Sequence, residues 1–135
     1  MMKTDWQYHG RALTTIPDGQ LGFVYTITNL INNKFYIGKK LFYFQKRVKV
    51  TGKKRCKKTL VESDWKTYYG SSNDLQRDVE KYGKDNFKRE IFAVYPTKWD
   101  MSYNELRLQL LHDVMNPETF TYNGIINVRL RKRTK

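Results

Sequence analysis

The sequence predicts a small single domain of the α/β (α+β) class, and three observations carry that expectation. Segments rich in aromatic and β-branched residues alternate with segments whose apolar residues recur at helical spacing. No repeat and no Gly/Ser-rich linker divides the chain. Its 135 residues, 39% of them hydrophobic, supply one real core but not two. Residues 1–135 are therefore expected to form one unit carrying basic excursions.

The elements follow in chain order. Residues 22–28, Gly-Phe-Val-Tyr-Thr-Ile-Thr, and then Phe35-Tyr36-Ile37 have strand composition, and the turn formers of 29–34 between them signal a hairpin. Centring its loop on residues 29–32 makes Tyr25 face Tyr36, with both side chains on one surface. Gly52, amid basic neighbours, marks the tip of a loop or of a long hairpin. Residues 69–74 form a loop running into a helix cap; Leu75, Val79 and Tyr82 then give a helix over 73–82, stopped by Gly83. Phe87 to Tyr95 is a third strand, closed by Pro96. A second helix is expected over about 103–115, with Leu106, Leu110 and Val114 on one side, ended by Pro117. Residues 120–128 are expected to return as a short strand before a basic tail at 129–135.

Charge is placed unevenly. Residues 1–61 hold 13 basic and 2 acidic residues, whereas 62–135 hold 13 and 11, out of a formal +13 for the chain. From Lys46 to Lys58 eight basic residues follow one another without an acid. Such self-repulsion favours a polyanionic partner, nucleic acid before an acidic membrane. Cys56 is the single cysteine, which excludes an internal disulfide and Cys-rich zinc sites and agrees with a reducing compartment. The absence of a long apolar run predicts a soluble, cytoplasmic setting with no membrane partner.

Tyr25, Tyr36, Tyr43, Arg47, Glu105 and Asn123 are the polar groups whose placement stands out. Each also has a plain structural role: cross-strand packing for Tyr25 and Tyr36, a solvated charge for Arg47, a turn for Asn123. Glu105 closes Ser102-Tyr103-Asn104-Glu105, a capping box at the expected helix start. Together these groups suit a phosphodiester. A carboxylate holds a divalent cation, an arginine meets the phosphate oxygens, and a phenol near cations gives up its proton more readily than usual and activates water.

Gly22 to Asn29 followed by Asn32-Asn33-Lys34-Phe35-Tyr36-Ile37-Gly38 resembles the paired signature of the GIY-YIG endonuclease family, with 11 residues from Tyr25 to Tyr36. Phe23-Val24-Tyr25 stands where the name-giving triplet reads Gly-Ile-Tyr. Tyr69-Gly70-Ser71-Ser72, Leu75-Gln76-Arg77 and Tyr82 to Phe87 resemble the central segment of phage homing endonucleases of this family. Gly70 occupies the place where some members carry a histidine, which leaves Tyr68 or Tyr69 to contribute instead.

The resemblance implies a central three-stranded antiparallel sheet flanked by helices, here with a basic insertion at about 40–66, and an endonuclease that hydrolyses DNA with Mg2+ or Mn2+. By motif correspondence Tyr25 would activate water and Tyr36 would orient water or phosphate. Arg47, with Lys46 as a rival, would be the transition-state cation on a helix after the second strand. Glu105 would bind the metal, and Asn123 would support the site. Double-stranded DNA is the expected partner. Its contacts are assigned to Lys39, Lys40, Lys46, Lys49, Lys53, Lys54, Arg55, Lys57, Lys58 and Arg77, and to Arg129, Arg131, Lys132 and Arg133 of the tail. A homo-oligomer is compatible with the sequence. The alternative is a basic nucleic-acid-binding module that uses the same surface without cutting.

Overall fold

The structure is a computed structural model and describes residues 5–49, 51–52 and 56–134. Strand β3 (Gly22–Asn29) is apolar on both faces, so it belongs in the middle of a sheet, and it pairs antiparallel with β4 (Phe35–Leu41) and β7 (Phe87–Tyr95). Strand β7 lies next to β1 (Gln7–Tyr8), which runs parallel to it and pairs with β2 (Arg11–Ala12). Five described strands thus form one mixed sheet in the order β2-β1-β7-β3-β4, where three antiparallel strands were expected. The two added strands are only two residues each, too short for periodicity to reveal.

Helix α1 (Asn73–Tyr82) matches the expected span. Ser72 accepts a hydrogen bond from the Leu75 amide at its start, and Gly83, at φ 90°, stops it. Its Leu75 and Val79 pack on one face of the sheet with Trp6, Phe23, Tyr25, Ile27, Trp65 and Phe87. Helix α2 (Lys98–Leu111) covers the other face, where Leu108 meets Val24 and Ile37. It begins five residues earlier than expected because Thr97 caps it, accepting from the Asp100 amide. Glu105 therefore sits in mid-helix, and the capping-box role is overturned. The helix also ends four residues early, at Leu111. Residues 120–128 do not return as a strand: apart from a single bridge between Phe35 and Thr121, the segment is irregular.

The 40–66 insertion forms β5 (Tyr43–Lys49) and β6 (Cys56–Glu62), an antiparallel ribbon separate from the main sheet. Its root is fixed by the buried Phe42 and Trp65 and by Ser63, whose amide donates to Phe42 O (2.8 Å) and whose hydroxyl donates to Leu41 O (2.6 Å). Gly52, with φ 81°, turns between the two strands as the sequence suggested. Arg47 and Lys46 consequently lie on strand β5 and not on a helix. Lys53, Lys54 and Arg55, and the side chain of Lys57, lie outside the described part of the chain. Among the described residues, no helix is long and apolar enough to cross a membrane.

Candidate active site at the free edge of the sheet

Strand β4 is an edge strand, and the candidate site is built around it. In the β3–β4 hairpin Tyr25 pairs with Gly38 and Ile27 with Tyr36. The expected pairing of Tyr25 with Tyr36 is off by two residues, because the loop is centred one residue later. Asn29 N donates to Lys34 O, and Asn33 takes the left-handed conformation at φ 64°. A two-residue shift preserves side-chain parity, so both tyrosines still share one face. Their ring centroids are 6.2 Å apart.

Gly38 explains how the two rings fit. A Cβ at this position would overlap the hydroxyl and ring of Tyr25 and the ring of Tyr36, so only a bare backbone lets the phenol of Tyr25 lie across β4. Behind Tyr25 the pairing of β3 with β7 shifts by one residue, a bulge next to the site.

Tyr36 and Glu105 line the same cavity, of about 580 Å3, together with Lys39, Ser71, Arg77 and Asn123. Tyr36 reaches it from the α1 side of the sheet and shares a 2.8 Å hydrogen bond with the Ser71 hydroxyl. Glu105 reaches it from α2, its carboxylate 3.6 Å from the Lys39 ammonium, which also donates to Ser102 (3.0 Å). Burial raises the Glu105 carboxyl above its ordinary value, and Lys39 partly opposes that shift.

Tyr25 stands behind this cavity and does not line it. It is 1% exposed, and burial above all holds its phenol well above the usual value, with Tyr68 and Tyr36 adding to the effect. The Tyr36 phenol is also raised, by burial, although its bond to Ser71 opposes this. Both shifts run opposite to the eased deprotonation expected of a phenol among cations.

Asn123 is buried and fully committed. Its Oδ1 accepts from the Ile37 amide and its Nδ2 donates to the Ile37 carbonyl, both at 2.9 Å, while Gln109 donates to the same carbonyl at 3.2 Å. These bonds satisfy the β4 backbone between Tyr36 and Gly38 in place of a neighbouring strand. Arg47 is exposed on β5 and does not line the cavity; the cations that do, among the described residues, are Lys39 and Arg77. Arg77 pairs with Asp74 one turn earlier.

The remaining sequence candidates fall outside the site. Tyr68 packs edge-on to Tyr25 and lies under the Lys40 ammonium, 4.0 Å from its ring centroid. Tyr69 is a core residue stacked under Arg89. His9 occupies an exposed turn, and His112 bonds the Leu108 carbonyl beside Phe35. Sequence reasoning missed Ser71 and Gln109 as parts of the site, and it placed Lys39 only among DNA contacts. Arg89 was missed as well: it is buried at 3% exposure and donates to the carbonyls of Lys66 and Tyr68, fixing the loop that delivers Ser71. The alternation of β7 carried a signal for it, since position 89 falls in phase with Phe87 and Ile91.

Comparisons with known proteins give the chain's family. The family profile described as "Putative endonuclease segE, GIY-YIG domain" matches residues 6–126. The chain is 31% identical over 106 residues to the "Putative endonuclease segD" of Enterobacteria phage T4, covering 78% of this chain and 38% of that protein. It is 28% identical over 107 residues to the "Putative endonuclease segE" of the same phage, covering 79% and 40%. The chain thus spans about two-fifths of the length of these curated relatives. No solved structure matches at comparable significance. With the profile match spanning nearly its whole length, the chain belongs to the GIY-YIG domain family.

Proposed function

We propose that the chain is a divalent-metal-dependent endonuclease that hydrolyses phosphodiester bonds of double-stranded DNA. The observation that carries this reading is the convergence of Tyr36, Lys39 and Glu105 on one cavity at the edge of β4. Names given to the phage relatives support the same class of reaction.

No group of three or more His, Cys, Asp or Glu residues gathers among the described residues. A cation held by a cage of protein ligands does not suit such a donor set. Mg2+ or Mn2+ held by one carboxylate, keeping its waters and taking phosphate oxygens, does suit it, and Glu105 is the residue that would hold it. When bound, such an ion polarises a nonbridging oxygen and stabilises the leaving oxygen.

The chain's own groups do the rest. Lys39 shields the desolvated Glu105 carboxylate and places a positive charge where the phosphate arrives. Arg77, on the opposite wall, offers a guanidinium to the same group. The Tyr36 hydroxyl, held by Ser71, keeps its proton at neutral pH and orients water or a phosphate oxygen by hydrogen bonding. Tyr25 fixes the Tyr36 ring from behind, and Asn123 fixes the strand that carries it. Lys40 and Lys46, with Arg129, Arg131, Lys132 and Arg133 of the tail, are the residues assigned to contacts with the DNA backbone in this reading.

The test is a supercoiled plasmid incubated with the protein and Mg2+ or Mn2+. Nicked or linear product should form, vanish with a chelator, and vanish in Glu105→Ala while that variant still retains DNA. Retention by the native chain with no product under any divalent ion would leave the non-cutting module as the correct class.

A further inference from the structure

Cross-strand partners of the β5–β6 ribbon share a face. Gln45 with Leu60 and Arg47 with Lys58 stand on one face, and Lys49 follows at the same parity. Directly opposed like charges destabilise a two-stranded sheet, and Arg47 facing Lys58 is such a pair. The three basic side chains are exposed, and no Asp or Glu occurs anywhere from Tyr43 to Val61 to relieve them. Glu62, opposite Tyr43 at the root, is the one acid on that face, so Arg47, Lys49 and Lys58 leave it with a net charge of +2 (three basic residues against one acid) for a polyanion to meet.

The ribbon is also continuous with the candidate site. A second cavity, of about 360 Å3, lies between its root and α2, lined by Lys39, Lys40, Lys98, Phe44 and Met101 among others. Lys39 is shared with the Glu105 cavity. Lys39 and Lys40 are paired with Glu105 and Asp64, and Lys98, the first residue of α2 where the helix dipole is already positive, adds a further ammonium to the lining. A phosphate backbone leaving the candidate site along Lys39 therefore meets Lys98 and then the root of the ribbon at Phe44, on the face opposite Arg47 and Lys58.

From these observations we infer that the β5–β6 ribbon is a groove reader that lies in the major groove of the duplex to be cut, presenting Arg47, Lys49 and Lys58. Strands of seven residues reach about 23 Å, and two strands about 4.8 Å apart with their side chains need a groove about 12 Å wide, not one of about 6 Å. Arg47 thus contacts DNA without being the cation of the scissile phosphate. This inference rests on the proposed reading for its choice of duplex DNA, but its test does not depend on cutting.

Affinity for a labelled duplex is measured by fluorescence anisotropy in chelator, across a range of salt concentrations. In Arg47→Gln/Lys49→Gln/Lys58→Gln the slope of log affinity against log salt should fall by about 2 to 3, at about 0.9 per phosphate released, with at least a tenfold loss of affinity at about 0.15 M salt. Relief of the like-charge pair should leave Tm unchanged or higher, which separates lost contacts from lost fold. The major-groove ligand methyl green should displace the protein, and the minor-groove ligand netropsin should not. An unchanged slope in the triple variant, or displacement by netropsin alone, overturns the inference. Normal ribbon behaviour in a chain that never cuts would overturn the hydrolase reading and leave the ribbon standing.

Discussion

Gly38 has no side chain because two tyrosine rings fill the space one would take. Gly38→Ala should push Tyr25 and Tyr36 apart at a cost of about 1–3 kcal/mol, the usual penalty for overpacking, read as a lower Tm together with lost cutting. The two tyrosines should then separate by role. Tyr36→Phe removes a hydroxyl at the cavity and should slow cutting about 10²-fold or more with little change in Tm. Tyr25→Phe removes a buried hydroxyl packed beside Tyr68 and should act mainly on stability. A greater loss of cutting in Tyr25→Phe at unchanged Tm would reverse these roles. Glu105 gives the pH dependence. Its carboxyl is raised in the folded chain, so the folded state holds the proton more tightly than the unfolded one. Its stabilising contribution is full below the unfolded value and fades as pH rises through the folded one. Cutting should show the opposite trend, rising over the same window as the carboxylate forms, which a pH–rate profile checks.

Among the elements, legibility followed local signal. Helix α1 has a serine cap, a 3.6-residue apolar period and a glycine stop, and its span was readable residue for residue. Strand β7 was equally plain, bounded by turn residues and Pro96. Helix α2 was harder, because two caps compete in its sequence. Thr97-Lys98-Trp99-Asp100 wins over Ser102 to Glu105, and local patterning cannot rank two valid caps. The hairpin register slipped by two because the loop is decided by Asn29, whose side chain accepts from the Ile31 amide and whose backbone closes on Lys34. The ribbon shows why a resemblance can mislead on one residue. Arg47 has the right type at nearly the right spacing, but its pairing with Lys58 across the ribbon overrides a helical placement.

At the scale of the whole molecule, the site exists because the C-terminal segment closes part of the sheet edge and leaves the rest open. Asn123 holds Ile37, and Tyr122 donates to Asp78 on α1 (2.6 Å), while Asn29 of the hairpin loop donates to the Tyr122 hydroxyl (3.1 Å). Neither link was legible from the sequence, since both join residues more than forty positions apart. Burial and the Asp78 bond push the Tyr122 phenol up to about 12. The folded state therefore keeps a proton that the unfolded chain loses near pH 10, and stability should fall across about pH 10–12. In Tyr122→Phe that alkaline loss should shrink, and at neutral pH the variant should be less stable by about 1.5–3 kcal/mol, the value of a hydrogen bond to a charged group. Denaturant melts at several pH values check both.

The Glu105 carboxylate, desolvated on α2 and facing Tyr36 across one cavity, is the centre of the proposed chemistry. Its most direct test is a single-turnover cleavage measurement on Glu105→Gln at saturating DNA, with Tm and DNA affinity taken on the same sample. Cutting should fall by at least about 10³-fold while affinity stays within a few-fold and Tm is unchanged or raised, because a buried charge has been removed. Retained cutting in that variant, with the fold intact, would contradict the assignment.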